Sequence, residues 1–203
     1  NGSMVAGTEI IVLHTTKVGE NSIVVHTLSR EYGRRSFLVK GVRKASMSLF
    51  LPLNILEAEI IESPKSNLYT ARNISSACSL IGIRNSILKN SMTMFISEVL
   101  YRAIKDGAAE PGLYEWRRKS ILMLDAIESD FSNFHIRFLL ELAVNLGFSP
   151  EMRDLQPFVG DHYNVIEAFM QKSLVESMLI PLNGATRNEI AEEILRYIEF
   201  HTE

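Results

Sequence analysis

Apolar and polar positions follow one rhythm in the first third of the chain and another in the rest. Up to about residue 76 they form short β-type runs separated by turn residues. Glu9 to Thr15 and Ser22 to Leu28 are rich in β-branched side chains, with Lys17-Val-Gly-Glu-Asn as the turn between them. Glu31-Tyr-Gly-Arg predicts a second turn leading into a strand from Ser36 to Val42. From Leu53 to Glu62 the alternation is clean: Leu56, Ala58 and Ile60 share one side, and Glu57 and Glu59 share the other. That is a strand with one wet face. Ser63-Pro-Lys-Ser-Asn predicts a hairpin turn, and Leu68 to Ile74 a last strand. Five short strands with no helical period between them predict a small closed barrel, the OB-fold being the first candidate, because closure removes exposed sheet edges.

Beyond Ser76 the apolar spacing lengthens. Leu88, Met92, Phe95, Val99 and Ala103 form one stripe of an amphipathic helix, with Gly107 placed to end it. Pro111 suits the first turn of a second helix running to about Glu128. Asn133 to Leu146 is apolar on most sides (Phe134, Phe138, Leu139, Leu142, Ala143), which predicts a central helix, stopped by Gly147 and Pro150. Thr186-Arg-Asn-Glu189 has capping-box spacing and predicts the start of a C-terminal helix burying Ile190, Ile194, Leu195 and Ile198. Between Glu151 and Gly184 the pattern predicts only one or two helices around Asn164 to Leu179. The expected fold class is therefore α+β: a five-stranded OB barrel over residues 4–76, then an all-α helical domain over 77–203.

Composition sharpens this picture at two points. Apolar residues at 46% and charged residues at 22% exclude a disordered chain. The net charge of −3 hides an asymmetry, because the residues up to Ala77 hold nine Lys/Arg against six Asp/Glu while the remainder holds twelve against eighteen. A basic module joined to an acidic body is the pattern expected of a nucleic-acid-binding domain with a partner-binding one. Cys78 is the single cysteine, so neither a disulfide framework nor a thiolate zinc site is expected. No apolar run approaches the roughly 20 residues that span a bilayer, and the N-terminus lacks the pattern of a secretory leader. A cytoplasmic, nucleoid-associated protein with no membrane partner is the expectation.

Catalytic signatures are missing. The chain has no Gly-x-x-x-x-Gly-Lys loop, no Gly-x-Gly-x-x-Gly and no Gly-x-Ser-x-Gly elbow. Its five histidines are scattered; His14 and His26 fall in predicted strands that can bring them together, with ordinary strand histidines as the simpler expectation. Glu192 and Glu193 are adjacent and point apart on a helix. No catalytic residue, metal site or cofactor is expected.

The chemistry that remains is electrostatic. Arg30, Arg34, Arg35, Lys40, Arg43 and Lys44 stand against Glu31 alone, with Tyr32 and Phe37 between them and Phe50 just beyond. Cations that track phosphates and rings that stack on bases are what sequence-tolerant single-strand binding uses. The candidate DNA-binding set is Arg30, Arg34, Arg35, Phe37, Lys40, Arg43 and Lys44. Six such contacts would give a slope of log K on log salt of about −4 as an upper bound. The alternative is a solvated hairpin whose arginines pair with acids elsewhere. A second basic run, Arg117, Arg118 and Lys119, suits an acidic tail of a partner protein or an ordinary solvated helix face.

Taken in order, these segments resemble the RecO family of bacterial recombination and repair proteins. The likeness runs through Glu9-Ile-Ile-Val-Leu-His, Val18-Gly-Glu-Asn-Ser-Ile-Val-Val-His, Leu28-Ser-Arg-Glu-Tyr-Gly-Arg, Phe37-Leu-Val-Lys-Gly-Val-Arg-Lys and Leu53-Asn-Ile-Leu-Glu. It continues in Phe138-Leu-Leu-Glu-Leu, Leu146-Gly-Phe-Ser-Pro, and Leu182-Asn-Gly with Arg187 and Arg196-Tyr-Ile-Glu-Phe-His. The resemblance implies an OB-fold that binds single- and double-stranded DNA and anneals strands. It also implies work with RecR to place RecA on DNA coated by single-stranded-DNA-binding protein, whose acidic C-terminal tail would meet Arg117, Arg118 and Lys119. Many family members carry a four-cysteine zinc module after the central helix. Residues 147–177 contain no cysteine here, so zinc is not carried over. Two other classes stay open: an adaptor whose barrel does not bind DNA, and, less in keeping with the residues, an enzyme acting on nucleotides.

Overall fold

The computed structural model describes residues 5–148 and 151–202, and the chain divides into two compact units, 1–125 and 126–203. The first unit opens with five strands: β1 (Val5–Lys17), β2 (Ser22–Ser29), β3 (Gly33–Lys40), β4 (Ile55–Ile61) and β5 (Tyr69–Ser76). They close into a barrel in the order β1-β2-β3-β5-β4, with β1 pairing both β2 and β4. Only the β3–β5 pair is parallel. This is the OB-fold expected from the alternation.

Strand alternation fills the barrel. Ile10, Val12, Val25, Phe37, Leu56 and Ile60 point inward and are almost wholly buried. Ile11 and Leu13 are buried as well but outside that interior set, on the strand against which a helix packs. The register of β1 shifts between Val12 and His14, a bulge that bends the strand where it passes from one partner to the other. The strand expected over Ser36 to Val42 starts earlier, at Gly33. Gly33 has φ +70°, and a Cβ there would overlap the backbone of Gly107 and Ala108, so only glycine fits.

Three helices complete this unit: α1 (Ile81–Arg84), α2 (Ile87–Ala103) and α3 (Pro111–Ala126). Ser86 caps α2 by accepting the Lys89 N–H. The predicted stripe is buried at Met92, Val99 and Ala103, but Leu88 is 48% exposed and Lys89 takes the buried place beside it, its Nζ donating to the Asp125 carbonyl at 3.1 Å. α2 ends at Ala103 rather than at Gly107, which instead lies in the following loop against β3.

The second unit, in which the sequence predicts a central helix, holds α4 (Phe134–Asn145), α5 (Met152–Val159), α6 (Tyr163–Gln171), α7 (Leu174–Met178) and α8 (Gly184–Thr202). α4 packs against α6, α7 and α8. Polar side chains close the helix ends: Arg137 donates to the carbonyls of Phe169 and Lys172, and Asn133 to those of Ser177 and Ile180. The predicted cap at Thr186 moves three residues back. Asn183 Oδ1 accepts the Thr186 N–H at 2.8 Å, so Thr186 lies inside the first turn and the Thr186/Glu189 box does not form. Asparagine is the stronger N-cap of the two. Leu195 is only half-buried, and Tyr197 takes the core place beside Ile194 and Ile198. Pro150, predicted as a helix stop, and Met4, the predicted start of the barrel domain, lie outside the described residues.

Candidate nucleic-acid interface

β3 sorts the basic segment by parity. Phe37 and Val39 face the barrel interior, and Phe37 is 0% exposed. Phe37 therefore cannot offer a face to a base, a correction to its place in the predicted DNA-binding set. Arg35 stacks over the Tyr69 ring at 3.8 Å and donates to the Asn67 carbonyl. Arg34 is buried, 5.1 Å from the Tyr101 ring centroid and 3.5 Å from the Asp106 carboxylate. Arg30 pairs with Glu115 at 2.9 Å, reaches Glu9, and lies over the Tyr114 ring. Lys40, Arg43 and Lys44 are different. All three are exposed, and none makes an ion pair with a described residue. Lys40 ends β3, and Arg43 and Lys44 open the 3-10 helix that follows, Lys44–Phe50. The β1–β2 turn lies at the same end of the barrel, because Ser22 pairs with Lys40 and Val42 N–H donates to the Asn21 carbonyl. That brings exposed Lys17, the last residue of β1, to the same end of the barrel.

A row of side chains runs across the strands. His14 pairs with His26, and His26 with Ser36. The two imidazoles stack with centroids 5.7 Å apart, and Tyr101 of α2 lies 5.0 Å from His14 and 5.1 Å from His26. His26 is held between Ser36 Oγ at 2.7 Å and Thr16 Oγ1 at 3.0 Å. Burial, then Arg34 and His14, hold its pKa below the ordinary imidazole value, so the ring is neutral at physiological pH. Alternation alone puts His26 and Ser36 outward once Val25 and Phe37 are inward. What brings Tyr101 to them is a helix that follows the barrel in the chain.

α3 uses most of its basic run internally. Arg118 Nε donates to Glu9 at 2.6 Å, and the Tyr114 hydroxyl donates to the same oxygen at 2.8 Å. Glu9 thus gathers Arg118, Tyr114 and Arg30 on the barrel wall. Arg117 is buried, and burial lowers its pKa to about 10. Only Lys119 of the three is exposed. Near Glu9 an open groove of about 400 Å³ is lined by Glu9, Glu31, Glu57, Glu59 and Arg30 among others. Its lining is anionic and would repel phosphate. Among the described residues there is no cluster of three or more His, Cys, Asp or Glu side chains that could hold a metal ion, and no helix long and apolar enough to cross a membrane.

A closed OB barrel with an exposed basic end, joined to a helical region, defines the class as OB-fold proteins carrying a C-terminal helical part. The match to known proteins is more particular. The family model described as recombination protein O N terminal matches residues 4–79, and that described as recombination protein O C terminal matches 84–155. The chain belongs to the RecO family. It is 36% identical over 148 residues to the DNA repair protein RecO of Phocaeicola vulgatus, covering 71% of this chain and 61% of that protein. Against the RecO of Bacteroides fragilis strain ATCC 25285 it is 34% identical over 162 residues, covering 78% and 66%. A match to the RecO of Christiangramia forsetii, 25% identical, extends over 98% of this chain and 93% of the relative. The chain thus spans less than two thirds of the length of the first two relatives.

Proposed function

We propose that this chain acts in DNA repair and homologous recombination as a non-catalytic mediator that binds DNA through its barrel domain, residues 4–76. The observation that carries the reading is the exposed group Lys40, Arg43 and Lys44 at one end of an OB barrel, without ion-pair partners among the described residues. Exposed cations attract phosphate by releasing its condensed counterions, and they do so on single and double strands alike. Membership of the RecO family and relatives named as DNA repair proteins support the same reading. Within it, the chain anneals strands in the cytoplasm, at the nucleoid, and with RecR helps RecA onto DNA coated by single-stranded-DNA-binding protein. The helical part, within 77–203, supplies partner surfaces, with Lys119 the exposed member of the run proposed to meet that protein's acidic tail. Arg30, Arg34 and Arg35 act within the barrel wall and contribute little direct phosphate contact.

The test is anisotropy of a labelled 30-mer single strand across a salt series, comparing wild type with the Lys40→Ala/Arg43→Ala/Lys44→Ala variant. Three phosphate contacts predict that the variant's slope of log K on log salt is shallower by about 2. An unchanged slope moves the DNA site elsewhere. Wild type that fails to bind at low salt supports the adaptor reading instead, which the overall charge of −3 keeps open.

A further inference from the structure

The outward row on β1 and β2 has features that phosphate contacts do not use. His14, His26 and Tyr101 bring three rings together, with His14 exposed and the other two half-buried. Aromatic rings that keep some face in water offer that face to a flat ligand. Beside them is a charge with unused hydrogen-bonding capacity. Arg34 Nε and Nη1 are buried and have no hydrogen-bond acceptor among the described residues. Buried guanidinium donors without acceptors are costly in a protein of fixed shape. The nearest carboxylate, Asp106, is 3.5 Å away, long for a hydrogen bond, and its side chain is 81% exposed. It sits on the loop after α2, where an incoming oxygen could replace it.

Ser36, Leu38 and Lys40 share one face of β3, since Phe37 and Val39 point inward. Ser36 is in register with His26, so Lys40 lies about 13 Å along the strand from the ring cluster at the usual rise per residue. A strand held at Lys40, Arg43 and Lys44 by its phosphates can reach the rings within a few nucleotides.

We propose that the His14–His26–Tyr101 cluster with Arg34 is a nucleobase site, taking one unstacked base of single-stranded DNA with a carbonyl edge toward the Arg34 guanidinium. The proposal rests on the DNA-binding reading above and adds to it a preference for single strands, because a base within a duplex cannot leave its stack without cost. Thymine and cytosine both carry an O2 acceptor that is free in an unstacked base, so either pyrimidine can meet the guanidinium.

Anisotropy with the whole chain tests this on oligo(dT), oligo(dC), an abasic strand of the same length, and a duplex. Oligo(dT) is expected to bind at least about fivefold more tightly than the abasic strand, the smaller end of what one stacked base contributes. Tyr101→Ala should remove that difference and Tyr101→Phe keep it, while His14→Ala, at an exposed position, reduces it without loss of fold. Oligo(dC) should also bind more tightly than the abasic strand. If the abasic strand binds as well as oligo(dT), or Tyr101→Ala leaves the difference intact, the base site is overturned while DNA binding by the cations stands. An Arg34→Lys variant that keeps the full preference for oligo(dT) over the abasic strand removes Arg34 from it. A wild-type chain that binds none of the four overturns the DNA-binding reading and this site together.

Discussion

Arg34-Arg35 and Arg43-Lys44 are two cation pairs, one at the start of β3 and one just past its end, alike in sequence and opposite in fate. The first pair stacks on tyrosines, with Arg34 buried and Arg35 hydrogen-bonded to the Asn67 carbonyl. The second pair stands in water. The difference comes from what each element packs against. Gly33 lets the start of β3 run close under the loop 104–108, which covers Arg34; past Lys40 the chain turns Val42, Leu49 and Phe50 to the barrel core and leaves Arg43 and Lys44 exposed. Local charge therefore reports where cations are, while the neighbouring elements decide whether they hold the protein together or remain available to a ligand.

The strongest way to break this contrast starts at Phe37, between the two pairs. Phe37→Ala is expected to cost about 3–5 kcal/mol in denaturant unfolding, the usual loss for a buried aromatic. Phe37→Leu, a milder change within the core, should cost about 1.5 kcal/mol or less and leave DNA affinity unchanged. A folded Phe37→Leu protein that binds DNA several-fold more weakly would put Phe37 back in contact with bases, against its burial.

The same rule extends to the helical unit through His135. Burial, then the charge of Arg187, lowers its pKa to about 4. In the unfolded chain an imidazole titrates near 6.5. Between these values the unfolded state binds a proton that the folded state refuses, so stability is full above about pH 6.5 and falls as the pH drops toward 4. The loss is at most about 3 kcal/mol. His135→Gln should flatten the acid side of the stability curve in that window; an equally steep curve would mean that carboxylates, and not this histidine, set it.

Of the fold, the alternating strands were the most legible part, because Leu56, Ala58 and Ile60 against Glu57 and Glu59 can be arranged in only one way on a half-buried sheet. The helices were legible where a whole stripe was apolar, as in α4. A single position departed where a long polar side chain took a buried place, as Lys89 does beside exposed Leu88 by reaching the Asp125 carbonyl. The candidate site was legible in part. Lys40, Arg43 and Lys44 could be picked out by charge, but Arg30, Arg34 and Arg35 carried the same signal, and their partners Glu115, Asp106 and Tyr69 lie far along the chain. Tyr101 had no signal at all. Its meeting with His14 and His26 depends on how α2 lies on β1, which no local pattern encodes.

A smaller effect compares single cations from the two pairs. Arg35→Ala removes a cation–ring stack and the hydrogen bond to Asn67, and is expected to cost about 1–2 kcal/mol. Arg43→Ala should stay within about 0.5 kcal/mol, as exposed substitutions usually do, while weakening single-strand binding. Reversal of that order would mean that the stack over Tyr69 adds nothing and that the basic loop is held by contacts of its own.

The same contrast can be drawn between Arg118 and Lys119, neighbours on α3 with one carboxylate deciding between them. Arg118 shares Glu9 with Tyr114, and its hydrogen bond to Glu9 is the first reason its pKa is held above the ordinary guanidinium value. Glu9 is almost fully buried, so Arg118→Ala leaves a carboxylate that water reaches poorly, with Tyr114 and the longer contact to Arg30 as its remaining partners. A cost of about 2 kcal/mol follows. Lys119→Ala touches no such partner, and its melting temperature should match wild type. If the acidic tail of the single-strand-coating protein meets this helix, titrating that peptide should show weaker binding to Lys119→Ala with stability unchanged. Arg118→Ala would lose stability first. Equal peptide affinity for wild type and Lys119→Ala would take the tail away from α3 and leave Arg117 and Arg118 as buried or paired residues of the unit that contains the barrel.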